Sequence, residues 1–284
     1  MTYSARTDLA AEAHAAWKTE KTHGETKGLR LHHELRQGIP VELLEIEDRA
    51  AAETLGKRMG RYATLRFEAL HRGDAEFART VEVLADELRT QLPIGTAGPV
   101  LVMCLGNADI TPDALGPLTA EYVIPTRHLV QSLPEQFGAF RSVSVLRSGV
   151  LGTTGIESAA LARSVCALCA PCAVIAVDAL CAAEADCLCR TVQVTDAGIV
   201  PGSGVGNARD ALDRETLGVP VIAIGVPTVV DAKTLCHGEA TESMFVTPRS
   251  IDRQVRECAR LVGYAIDLAL HPGLTLEDAE AFTA

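Results

Sequence analysis

The feature that most limits what this chain can fold into is a series of short, almost wholly apolar runs, each followed by a Gly or Thr turn and then by helical spacing. PVLVMCLG (99–106), CAVIAVDAL (172–180) and VPVIAIGVPTVV (219–230) lack the polar alternation of a half-exposed strand. A strand sheds its polar face only when both faces are covered, as helices cover a parallel sheet. The pattern predicts an α/β fold with a mostly parallel central sheet flanked by helices. SVSVLRSG (142–149) and TVQVTDAG (191–198) read as further strands. Between PVLVMCLG and SVSVLRSG the spacing predicts a helix over 111–123, with Thr111 as cap and Pro112 at its first position. A second helix, through Cys169, is opened by a capping box of Thr154 and Glu157. Ile251 to Leu270 is the last long helix, with apolar residues at Val255, Cys258, Leu261, Val262, Ala265, Ile266 and Ala269.

Residues 2–38 are polar and read as a surface arm with an amphipathic stretch from Leu9 to Trp17. Strands are expected at 39–48 and 61–70, joined by a helical turn at 50–55. A helix follows, capped by Asp74 and ended by Pro93 and Gly95. No repeat or linker interrupts 95–284, so residues 9–284 are expected to form one α/β domain, with an N-terminal α+β elaboration to about 95 and a core from about 96.

Composition narrows the partners. A net charge of −11 repels nucleic-acid backbones and anionic lipid, and 4% aromatic residues leave little to stack on bases. Neither a run of 18 apolar residues nor a signal-peptide segment is seen, so a cytoplasmic protein is expected, without nucleic-acid or membrane contact. Nine cysteines, an odd number, read as free thiols in a reducing compartment.

In open α/β sheets ligands bind beyond the carboxyl ends of the strands, the zone where Asp113 and Asp178 fall. Asp113 at a helix start is expected to stay ionised, whereas Asp178, after AVIAV, is expected to hold its proton. Two carboxyl groups set apart in this way make a base and an acid able to activate water against a carbonyl, although a first-turn acid and a turn cap would have the same spacing. The glycine loops GTTG and PGSGVGN, through Thr154, Gly155, Gly204 and Gly206, could present N–H groups to an oxyanion or an extended peptide, or simply form tight turns. Arg127 and His128 are possible supporting residues, with a core-edge role as the plainer reading. Cys166, Cys169 and Cys172, with Cys181, Cys187 and Cys189 nearby, have iron–sulfur-like spacing, but helical and extended backbone would scatter the sulfurs. Cys104, mid-strand, is a poor nucleophile.

The segments CLGNADITPDALGPLTAEYVIPTRHL, GVLGTTGIE, AVIAVDAL, TDAGIVPGSGVGN and VPVIAIGVPTVVDA resemble the germination protease of spore-forming bacteria. The similarity runs from RTDLAAEA through LGKRMGRYATL to MFVTPRSID and ALHPG. The resemblance implies an atypical aspartic endopeptidase that degrades small acid-soluble spore proteins during germination, with a fold similar to hydrogenase maturation proteases. It implies Asp113 and Asp178 as the catalytic aspartates, no cofactor or metal, a homotetramer and a location in the forespore or spore core. It also implies a zymogen that removes residues 1–8 by cutting between Asp8 and Leu9. A metal-dependent maturation-type peptidase, or a non-catalytic spore protein retaining the fold, are the rival expectations.

Overall fold

The computed structural model describes residues 6–20, 27–68, 70–93, 98–207, 209–236 and 244–283. Among them nine strands form one sheet: β1 (Leu29–Arg36), β2 (Ile39–Ile46), β3 (Gly60–Arg66), β4 (Val100–Leu105), β5 (Val143–Gly149), β6 (Ala173–Ala182), β7 (Thr191–Thr195), β8 (Val221–Asp231) and β9 (Phe245–Val246). Their order is β1-β2-β3-β7-β8-β6-β4-β5, with β9 paired to β8. The sheet is mixed α/β in character. Strands β8, β6, β4 and β5 run parallel, and the remaining pairs are antiparallel. The N-terminal strands therefore extend the core sheet, joined to it where β3 pairs with β7. The connection from β6 to β7 holds only a 3-10 turn, Ala185–Cys187, and no crossover helix to set β7 parallel.

Alternation along the buried strands sorts the side chains into two layers. Val100, Val102 and Cys104 of β4, with Ala173, Ile175 and Val177 of β6, share one core with the helices Ala75–Gln91 and Ile251–Leu270. Leu101, Met103 and Leu105, with Val174 and Ala176, meet Ala159, Ala162 and Cys166 of helix Ser158–Cys169 on the other face. Asp178 continues the row of Val174 and Ala176.

Three expectations are corrected. The arm is only in part a surface feature: residues 9–12 are buried, Ala10–Glu20 forms a helix whose later residues are half-buried or exposed, and Leu29–Arg36 is the largely exposed edge strand β1. Leu9 is wholly buried among Leu180, Ala182, Cys187, Leu188 and Val230, which contributes roughly 2 kcal/mol to holding the arm down. The single helix expected over 111–123 is a 3-10 turn, Thr111–Asp113, followed by the short helix Leu115–Thr119, and neither has a side-chain cap. Tight packing on the strand ends interrupts it, since a Cβ at Gly116 would lie 2.1 Å from the Leu105 carbonyl oxygen. The capping box at Thr154 is also absent. Residues Leu151–Thr154 form their own turn, ended by Gly155 at φ 69°, and the next helix begins at Ser158. The helix expected from Asp74 does form, as Ala75–Gln91, though the Asp74 side chain makes no cap bond; Gly95 lies outside the described residues.

Candidate active site

Strand β4 is followed in the chain by β5 on one side and β6 on the other, so a crevice opens beyond the carboxyl ends of β4 and β6. The 111–113 turn places Asp113 there. Thr228 of β8 donates to the Pro112 carbonyl oxygen at 2.7 Å, tying the turn to the sheet. The Asn107 N–H donates to Asp113 Oδ2 at 2.9 Å. Asp178 enters from β6, one residue beyond the last pairing of β6 with β4, and is 6% exposed. Its Oδ1 accepts the N–H of Ala179 at 2.9 Å.

Burial raises both carboxyl groups above the ordinary carboxylate range, which corrects the expectation for Asp113. The turn carrying it is too short for a helix dipole to offset desolvation, and the Asn107 N–H only partly opposes the rise. Asp178 is pushed well above, first by desolvation and then by the neighbouring charges of Asp113 and Asp8. The order of the two affinities is thus the one expected, with the proton on Asp178.

Both aspartates line a cavity of about 640 Å³, together with Asn107, the Gly149–Gly152 turn, the Pro201–Val205 loop and Thr228. Asp8 lines it too. The arm is held there residue by residue. Lys57 Nζ donates to the Thr7 carbonyl oxygen at 2.7 Å, and the Asp8 N–H donates to the Cys181 carbonyl oxygen at 2.8 Å. Gln193 Oε1 accepts the Ala10 N–H at 2.7 Å, while its Nε2 donates to the Asp8 carbonyl oxygen at 3.3 Å. Glu12, buried, accepts the N–H groups of Ala183 and Glu184 at 2.7 and 3.0 Å, and also the Thr7 hydroxyl.

Of the other residues singled out from sequence, Gly204 lies on the cavity wall, but Gly206, Thr154 and Gly155 do not. The Thr154 hydroxyl is used up inside its own turn, on the Val150 and Ile156 carbonyl oxygens. Arg127 and His128 are not brought to the site. Arg127 donates to the Cys169 carbonyl oxygen at the end of helix Ser158–Cys169, where β6 starts, whereas Asp178 lies toward the strand's other end. Cys166, Cys169 and Cys172 do not converge: Cys169 sits by Ser144 Oγ and Cys172 by Arg141. Among the described residues the group whose metal-binding atoms do converge is Glu12, Glu184 and Cys187, where Glu12 is already engaged as described. The Cys104 thiol is pushed up to about 12 by burial, which leaves it inert. Sequence reasoning missed Lys57, Gln193, Ser203 and Thr228, which carry no pattern of their own. Their one signal is position: Lys57, Ser203 and Thr228 lie inside LGKRMGRYATL, TDAGIVPGSGVGN and VPVIAIGVPTVVDA, segments already notable for their resemblance, whereas Gln193 lies in none of them.

A family model described as germination protease matches residues 5–245. The chain belongs to the germination protease family. The germination protease of Caldanaerobacter subterraneus subsp. tengcongensis is 38% identical over 95% of this chain and 95% of its own length. Those of Bacillus cereus and Bacillus anthracis are 43% and 42% identical over 82% of this chain and 65% of theirs. A solved NiFe hydrogenase maturation protease, HycI from Thermococcus kodakarensis, aligns with 63% of this chain and 98% of its own at 18% identity and a TM-score of 0.38. Membership makes the chain a peptidase, and no helix among its described residues is long and apolar enough to cross a membrane.

Proposed function

We propose that this member of the germination protease family is an aspartic-type endopeptidase in which Asp113 and Asp178 act on one water. The observation that carries the proposal is two carboxyl groups lining one cavity, with the proton held by the more buried one. Asp113 takes a proton from water as its oxygen bonds to the scissile carbonyl carbon, and Asp178 gives its proton to the carbonyl oxygen. When the adduct collapses, the C–N bond breaks, the proton on Asp113 passes to the leaving nitrogen, and the proton on oxygen returns to Asp178. No covalent intermediate is needed and no cofactor is invoked. The pair titrates as one unit.

The substrates proposed are small acid-soluble spore proteins, cut after an acidic residue in the spore core during germination by a homotetramer. The chain is made as a zymogen that cuts its own Asp8–Leu9 bond, and residues 1–8 are the pro-segment; 1–5 lie outside the described residues. Support for the zymogen reading is that the arm reaches the site it would be cut by, with Asp8 on the wall of the cavity that Asp113 and Asp178 line.

The test is incubation of the wild-type chain and of Asp113→Asn and Asp178→Asn with a peptide containing Thr-Glu-Phe-Ala, with EDTA present. Wild type should cleave the peptide and its own arm, and each variant should lose about 10³-fold or more of both activities. Near-normal turnover by either variant refutes the aspartate assignment, and chelator sensitivity restores the metal-dependent reading. A correctly folded wild type without activity supports the non-catalytic one.

A further inference from the structure

The cavity already holds a seated carboxylate. Asp8 Oδ1 accepts the Ser203 hydroxyl at 2.8 Å, and Oδ2 accepts the Cys181 N–H at 2.9 Å. The floor of the seat is Gly204, where a Cβ would stand 2.0 Å from Asp8 Oδ2 and 2.7 Å from the Cys181 Cβ. Lys57 supplies positive charge beside Asp8 and Glu12, and it grips the backbone one residue earlier. Immediately after Asp8, the Leu9 side chain drops into the apolar pocket of Leu180, Ala182, Leu188 and Val230. An acid seat and an aliphatic pocket thus lie on consecutive residues, with an extended backbone bond from the Asp8 N–H to Cys181 between them.

We propose that this seat is the subsite that reads the acidic side chain preceding the bond to be cut, with the Cys181 N–H and the Ser203 hydroxyl as its donors, Lys57 as its cation and Gly204 as its floor. The inference rests on the peptidase reading of Asp113 and Asp178. Asp8 is then the seat's intramolecular occupant, and a substrate's acidic residue enters only when the arm has left. The Cys181 N–H is fixed by the backbone and can meet only an acceptor. The Ser203 hydroxyl can turn to face an amide, so selection of acid over amide falls mainly on the charge of Lys57 and on the strength of bonds to an ionised group.

The probe is the enzyme left after the full chain has processed itself, with two peptides copied from residues 4–14 that carry Asp or Asn at position 8. Wild type should prefer the Asp peptide by about 100-fold in kcat/KM, as expected when a buried polar site loses its charged partner. Ser203→Ala and Lys57→Met should each lower kcat/KM for the Asp peptide about tenfold and leave the Asn peptide within about threefold. An Asp-to-Asn preference that neither substitution changes overturns the subsite. Ser203 lies on a surface loop, so its variant keeps the test valid should Lys57→Met fail to fold. A second measurement needs no turnover. In the full chain carrying Asp113→Asn, adding Asp8→Asn should speed amide exchange across residues 7–12 about tenfold as the seat loosens. Protection that survives Asp8→Asn overturns the seat alone, a processed enzyme that cuts neither peptide overturns the subsite, and a full chain that neither processes itself nor cuts either peptide overturns the peptidase reading and the subsite with it.

Discussion

Asp178→Asn separates the chemistry from the fold, because the residue is expected to serve one at the expense of the other. Asparagine has the same shape, and its Oδ1 can still accept the Ala179 N–H. What it removes is a buried acid whose charged form is opposed by desolvation, by Asp113 and by Asp8. The folded state therefore holds a proton that the unfolded chain, titrating near 3.8, has already released. Stability of the wild type falls as pH rises between those two values, by about 1.4 kcal/mol for each unit of pH. The variant has no such group, so it should match the wild type near pH 4 and gain on it at that slope until the folded-state value is passed. For a chain of this size each kcal/mol moves Tm by roughly 2–4 °C. Urea unfolding at half-unit steps from pH 4 to 8, with the chain prevented from self-cleavage by Asp113→Asn in both proteins, reads the difference directly. A difference independent of pH, or one that shrinks as pH rises, refutes the assignment of the proton to Asp178. The Asp113→Asn background removes one of the two repelling charges and leaves the slope unchanged, so the pH at which the gain levels off is set mainly by desolvation, with Asp8 adding to it.

Two further outcomes follow from the structure. Thr228→Val removes the hydroxyl that ties the Pro112 carbonyl to β8, so the turn carrying Asp113 should drift and kcat fall about tenfold with KM within about twofold; steady-state kinetics on the Thr-Glu-Phe-Ala peptide checks it. Asp267, buried under the Ile124 N–H in the last long helix, is pushed up to about 8 by desolvation, so Asp267→Asn should gain about 5 kcal/mol on the wild type between pH 4 and pH 8 without changing turnover, measured by urea unfolding.

Much of this architecture is written in the chain's local patterns, and what is not has identifiable causes. The apolar runs at 100–105, 173–182 and 221–231 are legible because strands covered on both faces leave an unmistakable composition. Ile251–Leu270 is legible because its apolar spacing is sustained over five turns. Asp178 stands out as an acid at the end of an apolar run, and Asp113 as an acid in the turn that follows another such run, where a site or a cap would explain each. The turn at 111–113 is not legible, since helix length there is set by how closely Gly116 must approach the Leu105 backbone, a tertiary fact. The arm misleads for the same reason. Residues 6–12 are polar enough to read as surface, yet their polar groups are matched one by one to Lys57, Cys181, Ala183, Glu184, Gln193 and Ser203. No periodicity records a partner that lies about 50 to 195 residues away.

Those distant partners also explain why the N-terminal strands are fused to the core sheet. Gln193 stands on β7, which β3 pairs with antiparallel, and Lys57 lies just before β3, so both arm-holding side chains come from the seam between the wing and the core. The wing meets the core at β7, next to β8 and three places from β4. Placed there, it turns the arm across the carboxyl end of β6 and sets Asp8 beside the pair. Tethering gives such a segment a millimolar effective concentration, and Leu9 adds roughly 2 kcal/mol of burial, so a free peptide with the same two side chains cannot displace it. Under the proposed activity, cutting at Asp8–Leu9 divides this grip. Leu9 and Glu12 stay with the body, while the acid leaves with residues 1–8 as a small fragment that dilution carries off. The seat is emptied without disturbing the fold around it, and the same contacts that hold the arm before cleavage remain to define the entrance after it.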